Sequence, residues 1–497
     1  MSMDKEIIIS DFVGLVPGFW KNANPSYGNS GHASDTQHID LTDPSVLTQG
    51  PGLADLTAGT QAGAITTLLK GIMKESPDGT NIYATGGNLL HKITSGAVIN
   101  DIGSGGDWPH TINKAVVTGE LGEDVLEYGG YIWYSYNHSG GAGDIGRYDQ
   151  STTFDDDYMS TVPTDGAALQ GGVPHPMAKG GLNKLYIGNG RYVAEYSAST
   201  GIFVAQSLNL PSGEVVSGLI HDHNRLYVFA NKPNLTSSTY MTGSIYVWDM
   251  TSTSWEYQIT VPGKTGGAFD KNGVVYFFYQ DVSATAQFKF AYIEGNQTKD
   301  VVSFSGSLPG FHQVIDDDNH IIWLAGGEVW AWGAPSNNLP VKFFQYADAG
   351  HDTSGGITNA FGTPMMASFD SSGGTAYRLA QFSGYDVNAQ WKSILFDISS
   401  TMKTAFVDRI MVQTEPLSTG AACDMTITYD YGSSTETATT VQIAYDSADT
   451  LKTRWVVTRS GVSVENFRID LSWANGSATN PVKIRKIMIG LRLATNK

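Results

Sequence analysis

A single cysteine, Cys423, stands in 497 residues. That excludes an intrachain disulfide framework and any metal site built on clustered thiolates. Charge is also scarce, at 16% of the chain against roughly a quarter in ordinary globular proteins. Basic residues are the scarcer sign, 30 Lys and Arg against 48 Asp and Glu, for a net charge of −18. Binding to a phosphate backbone draws on counterion release by clustered Lys and Arg, so no nucleic-acid binding is expected. No run approaches 18 consecutive apolar residues, so no membrane-spanning helix is expected. Residues 1–10 lack the apolar core and small-residue cleavage site of a secretory leader. The expectation is a soluble chain made in a cytoplasm that does not rely on oxidation.

Glycine, in contrast, is abundant. With 57 Gly and 18 Pro the chain is rich in turns, which argues against a helical bundle. Hydrophobic residues at 41% suffice for large cores, and the length suggests about three domains. A motif recurs from about residue 65: a polar turn followed by a short β-branched and aromatic strand. It reads Pro77 to Tyr83, Tyr128 to Trp133, Gly181 to Tyr186, Asp222 to Tyr227, Asp270 to Tyr276, Asp317 to Trp323 and, more loosely, Ser371 to Tyr377. The closing aromatics are spaced by 50, 53, 41, 49, 47 and 54 residues. A period near 50 with a turn-then-strand core is a propeller-blade signature. Second strands such as Arg191–Tyr196, Gly243–Trp248, Phe288–Tyr292 and Glu328–Trp332 complete hairpins within the blades. The count is seven blades, with six as the alternative, over residues 64–390.

After residue 390 the rhythm shortens. Strands are expected at Trp391–Ile398, Phe406–Thr414, Cys423–Tyr431, Thr440–Tyr445, Arg454–Thr458, Asn466–Trp473 and Val482–Leu493. Such spacing predicts an antiparallel β-sandwich of jelly-roll type over 391–497. Charge changes with it: this segment has 12 Lys and Arg against 10 Asp and Glu, leaving −20 for residues 1–390. Residues 1–63 read as an N-terminal arm. Its apolar cluster, Phe12, Val13, Leu15, Val16, Phe19 and Trp20, is expected to pack on the propeller or complete a strand. Residues 21–63, rich in Asn, Ser, Gly and Thr, are expected to run over the surface towards an adjoining subunit.

No motif for chemistry survives scrutiny. Gly141, Gly143 and Gly146 have dinucleotide-loop spacing but open into Arg147-Tyr-Asp rather than a helix, so no helix N-terminus is offered to a pyrophosphate. Gly263-Lys-Thr265 lacks the first P-loop glycine, position 258 being Gln. Asp155-Asp156-Asp157 and Asp316-Asp317-Asp318 are candidate calcium ligands without EF-hand spacing. Asp and Asn are also ordinary turn formers. His221-Asp222-His223 is the densest titratable group and falls at the same turn position. Trp20, Trp108 and Trp255 lie outside the strand cores and are the candidates for partner contacts. No catalytic, cofactor-binding or metal residue is assigned.

The layout, an irregular arm (Asp11-Phe-Val-Gly-Leu, then Asp40–Gly52), a propeller and a closing sandwich (Trp391-Lys-Ser-Ile-Leu-Phe-Asp, Val407-Asp-Arg-Ile-Met-Val), resembles virion structural proteins of tailed bacteriophages, of the tail, nozzle or head–tail stabilisation type. The resemblance implies a multi-copy particle component without enzymatic turnover, found in the virion and contacting other virion proteins and copies of itself. It maps no functional residues. Two alternatives stand beside it: a receptor-binding or glycan-binding tail protein, and a propeller glycoside hydrolase or depolymerase, whose carboxylates would converge on the central channel about 5 to 9 Å apart.

Overall fold

The structure is a computed structural model. The structure describes residues 4–10, 12–15, 32–40, 43, 45–56, 65–73, 79–96, 99–100, 108–112, 120–138, 143–161, 169–233, 241–281, 287–317, 320–325, 327–332, 341–345, 353–370, 376–397, 405–430, 432–433, 436–458 and 463–493.

The turn-then-strand repeat folds into four-stranded antiparallel sheets, of which the described residues contain seven. Sheet one comprises Gly71–Ile72, Asn81–Gly86, Leu89–Thr94 and His110–Thr111; sheet two comprises Glu120–Tyr128, Tyr131–His138, Asp144–Tyr148 and Phe154–Asp155. Sheet three runs from Met177–Gly180 to Ile202–Asn209, sheet four from Val215–Asp222 to Tyr257–Val261, and sheet five from Gly263–Lys271 to Gln297–Ser305. Sheet six runs from Val314–Asp317 to Val341–Gln345. Sheet seven takes Thr353–Ala360, Thr363–Asp370 and Ala376–Ser383, and its fourth strand is Gly52–Asp55. The first strand of each sheet packs on the first strand of the next, and that of sheet seven on that of sheet one. The result is a propeller-like ring.

Burial explains the ring. Hydrophobic clusters fill the seams between neighbouring sheets: sheets two and three share Trp133, Tyr158 and Leu185, and sheets three and four share Tyr186, Leu208 and Trp248. Between sheets five and six, Trp323 is inserted among Phe278, Phe290 and Phe304 at ring separations of 5.1 to 5.8 Å. A lone sheet would leave one of these apolar faces wet, at about 25 cal/mol per Å².

Six of the seven repeat aromatics fall on the second strand of their sheet, but Tyr377 lies on the third strand of sheet seven. The second strand there is Thr363–Asp370, and the turn before it is Phe361-Gly362, both at positive φ (55° and 77°). The Ser371-Ser-Gly-Gly stretch carries the stronger polar-turn signal and draws the reading one strand too far.

Two large sheets lie outside the ring, besides the two-stranded pair Ile39–Asp40 and Thr48–Gln49. A seven-stranded sheet is ordered Val13–Leu15, His32–Gln37, Gln390–Ser393, Asn466–Ser472, Ala422–Tyr429, Thr437–Ala444, with Phe396–Asp397 also on Asn466–Ser472. A five-stranded sheet is ordered Asp4–Ile9, Ile484–Leu493, Ala405–Thr414, Arg454–Thr458, with Ser463–Val464 also on Ala405–Thr414. Both contribute to one cluster holding Phe12, Trp391, Cys423, Phe467 and Ile489, which continues into Ile322 and Val329 of sheet six and Met366 of sheet seven.

The N-terminal segment is therefore not a surface arm where it is described. Phe12 is buried edge-on against Trp391 at 5.9 Å, and Val13–Leu15 does complete a strand. Residues 32–55, expected to run outward, instead supply strands to three sheets and bury Ala33, Thr36, Ile39 and Leu47. Their polar composition hid this because backbone pairing, rather than side-chain hydrophobicity, holds much of the segment. Residues 16–31 and 57–64 lie outside the described residues.

Candidate functional site

The first strands of the seven sheets enclose a cavity of about 620 Å³ on the axis of the ring. In sheets two to seven the second-last residue of the first strand lines the cavity. These residues are Glu127, Lys179, His221, Asp270, Asp316 and Asn359. The turns fix the register. Gly129-Gly130, His223-Asn224, Asn272-Gly273 and Phe361-Gly362 are two-residue connections with a left-handed backbone at one or both positions. Because side chains alternate along a strand, a fixed turn places equivalent residues of successive sheets at one level of the channel.

This polar ring is uneven. On one side Lys179 Nζ meets Glu127 at 3.1 Å; across the cavity Lys271 Nζ, which follows Asp270 on its strand, holds Asp316 at 2.5 Å. Deeper, Asp124 accepts the backbone N–H of Met177 at 2.6 Å and of Val125 at 2.7 Å, with His312 Nδ1 at 3.8 Å. Glu123 behind it accepts from Asn137 at 3.2 Å, and burial raises its carboxyl above the ordinary value. On the opposite arc His221, Asp270 and Asp316 are consecutive. Burial raises the Asp270 carboxyl, and the charges of Asp222 and Asp316 add to the effect. Burial lowers the His221 imidazole. Asp270 Oδ1 and His221 Nε2 are both shielded from solvent without a hydrogen-bond partner. The arc thus offers a carboxyl whose burial favours its protonated form, an imidazole whose burial favours its neutral form, and an ion-paired carboxylate. Such a surface suits hydroxyl-rich or cationic groups.

The sequence motifs resolve into structural roles. Gly146 faces Tyr134 across the strand pair, and a Cβ there would lie 2.2 Å from the ring; one at Gly143 would lie 2.1 Å from His175 Nε2. These glycines make room for rings. Gly141 lies outside the described residues. Thr265 is held by Asn231, whose Oδ1 accepts both its N–H (2.8 Å) and its hydroxyl (3.0 Å). Asp156 accepts the Tyr134 hydroxyl and sits 2.9 Å from His110 Nε2, while Asp155 approaches Arg147 at 3.9 Å. Asp317 accepts from Asn359 at 2.7 Å, and Asp318 lies outside the described residues. Among the described residues no three His, Cys, Asp or Glu side chains converge as a metal site. His223 is a turn residue at φ 52° bonded to Asp222. Among the described residues singled out as candidates, His221 and Asp316 reach the cavity.

Trp108 departs from its expected role as a partner contact: it is buried among Tyr83, Tyr148 and Phe154 at 5.3 to 5.6 Å. Trp255 packs edge-on against Tyr246 at 4.9 Å. Trp20 lies outside the described residues. Sequence reasoning missed Glu127, Lys179 and Asn359. The signal was present in the repeat itself, as the polar second-last residue of the first strand in sheets two to seven.

No family model and no curated protein matches the chain. Among solved structures it is similar to the WD40 β-propeller domain of Doa1, at 10% identity and TM-score 0.42 over 66% of this chain and 97% of that one. Drosophila Semaphorin 1b, extracellular domains 1–2, matches at 7% and 0.38 over 68% and 88%. An exo-β-1,3-galactanase from Phanerochaete chrysosporium matches at 11% and 0.32 over 89% and 100%. At these scores no activity follows from the similarities.

Proposed function

We propose that the chain is a structural component of a tailed bacteriophage particle, a tail or head–tail connector protein present in several copies. In this reading the ring is a seven-bladed propeller, the two outer sheets are a jelly-roll-like sandwich, and the protein resides in the virion after synthesis in the host cytoplasm. The observation that carries the reading is the continuous core from Met366 and Ile322 through Trp391 to Ile489. Gly52–Asp55 closes sheet seven and Asp4–Ile9 edges the five-stranded sheet, so in this reading propeller and sandwich act as one rigid body. Rigidity across both units serves a part that bears load between neighbours rather than a hinge around a substrate. Antibodies against the purified chain should label particles of the phage that encodes it. Unlabelled particles would overturn the reading.

The His221, Asp270 and Asp316 arc favours a second reading, a glycan site in the channel, either receptor-binding or hydrolytic. It is tested by glycan binding and by reducing-sugar release from host polysaccharide, with Asp270→Asn as the variant. Binding or release that this variant abolishes supports the second reading; neither with any host surface sugar removes it.

A further inference from the structure

The connection from sheet five to sheet six reaches the first strands of four sheets. In sheet five, Gly267 N–H donates to Pro309 O at 2.7 Å. In sheet four, the Phe311 ring lies against Gly218, where a Cβ would stand 1.8 Å from it, and meets Phe229 edge-on at 5.4 Å. His312 Nδ1 stands 3.8 Å from Asp124 of sheet two. The Gln313 amide donates to the carbonyl and hydroxyl of Ser354 in sheet seven at 3.1 and 3.2 Å. Gly218, Gly267 and Ser354 all precede the residues of their strands that line the cavity, His221, Asp270 and Asn359 among them. The connection is therefore a floor across the channel, and Phe311 and His312 line the cavity from that side. Side-chain exposure falls in the same direction, from 44% at Lys179 and 36% at Asp316 to 10% at Asp124. The channel is thus a blind pocket with its mouth at the turns.

A blind pocket receives the end of a molecule, and the lining says which kind. Asp270 Oδ1 and Asn359 Oδ1 are shielded from solvent without a hydrogen-bond partner, an arrangement rare in folded proteins. The carboxylates of Glu127 and Asp316 stand at the same level, where Lys179 is already bonded to Glu127. Leu219, Phe269 and Phe311 supply apolar wall. A ligand unit with hydroxyl donors on its edge, C–H groups on its faces and no negative charge matches this lining. The volume of about 620 Å³ falls in the range of small-molecule sites, about 300–1,000 Å³.

Resting on the glycan reading of the channel above, we propose that the pocket binds the terminal unit of an uncharged glycan chain, end-on. The Phe311–Gln313 floor refuses the interior of a polymer, which would have to pass through. The carboxylates refuse acidic sugars, because like charges brought together in a pocket are costly.

The test is a glycan array of neutral chains and of chains ending in sialic or uronic acid, all attached through their reducing ends. Titration calorimetry of the full chain follows, with the strongest neutral binder and with the same chain carrying a bulky, uncharged benzylidene acetal on its terminal unit. Neutral chains should bind and acid-ended ones should not, and the acetal should weaken binding by about tenfold or more. Asn359→Leu and, separately, Asp270→Asn should each weaken it by about tenfold or more with the melting temperature at its wild-type value. A capped chain that binds as tightly as the free one would overturn end-on recognition while leaving a glycan site in the channel. Acid-ended chains that bind best would overturn the uncharged class in the same way. Binding that neither variant touches lies outside the pocket and overturns the proposal. An array without signal removes the glycan reading itself, and the proposal with it.

Discussion

At the scale of single residues, the constraints are set by rings and by buried titratable groups. Gly146 lies directly opposite Tyr134, whose ring occupies the space of its missing side chain. Gly146→Ala forces the ring away and with it the hydroxyl that bonds Asp156. A loss of about 1–3 kcal/mol is expected from such overpacking, read as a lowered melting temperature. His91 is fully buried, bonded through Nδ1 to Asn100 at 3.1 Å, and burial lowers its imidazole to about 4. The folded state therefore holds it neutral while the unfolded chain takes up a proton near 6.5. Stability is full above that value and falls as pH drops from 6.5 towards 4, by roughly 3 kcal/mol in total. His91→Gln should flatten this part of the stability curve; denaturation midpoints at pH 7 and pH 4.5 that differ as much in the variant as in wild type would refute the assignment.

At the scale of elements, the decisive one is the short strand Gly52–Asp55. It pairs with Ala376–Ser383 from Asp55 opposite Ala380 to Gly52 opposite Ser383, and Asp55 also meets Arg378 at 3.0 Å. The ion pair is half-exposed, so Asp55→Ala should cost no more than about 1 kcal/mol. The strand itself is another matter. Deleting residues 1–56 uncovers the edge of sheet seven and removes Phe12, Ile39 and Leu47 from the shared core. Aggregation on expression is expected, because an uncovered edge and wet apolar groups arise together. Phe12→Ala separates the two effects: it keeps the strand and should cost about 3–5 kcal/mol, measurable by chemical denaturation.

At the scale of the molecule, the shared cluster predicts cooperativity. Ile315, Ile322, Leu324 and Val329 of sheet six are buried together with Trp391, Phe396 and Leu471 of the outer sheets. Ring and outer sheets should thus unfold in one calorimetric transition, and residues 1–390 alone should be insoluble or lack a sharp melt. Two separated transitions, or a soluble and cooperatively melting 1–390 fragment, would show that the core does not couple them.

Much of this architecture was legible in the chain. Period-two alternation in Phe467-Arg-Ile-Asp-Leu-Ser matches the strand Asn466–Ser472, whose burial alternates residue by residue, and the repeated turn-then-aromatic motif marks the second strand in six sheets. Local signals of this kind survive because turn residues and alternating side chains act over a few positions only. What the chain alone left undecided were matters of long-range pairing. That Gly52–Asp55 belongs beside residues more than 300 positions away, that Asp4–Ile9 edges the last sheet, and that Trp108 is walled in by three aromatic rings depend on backbone groups finding partners across the whole fold. The channel stands between the two cases. Its residues sit at a repeating sequence position, but only closure of the ring brings Glu127, Lys179, His221, Asp270, Asp316 and Asn359 to one cavity, and only burial there raises Asp270 and lowers His221.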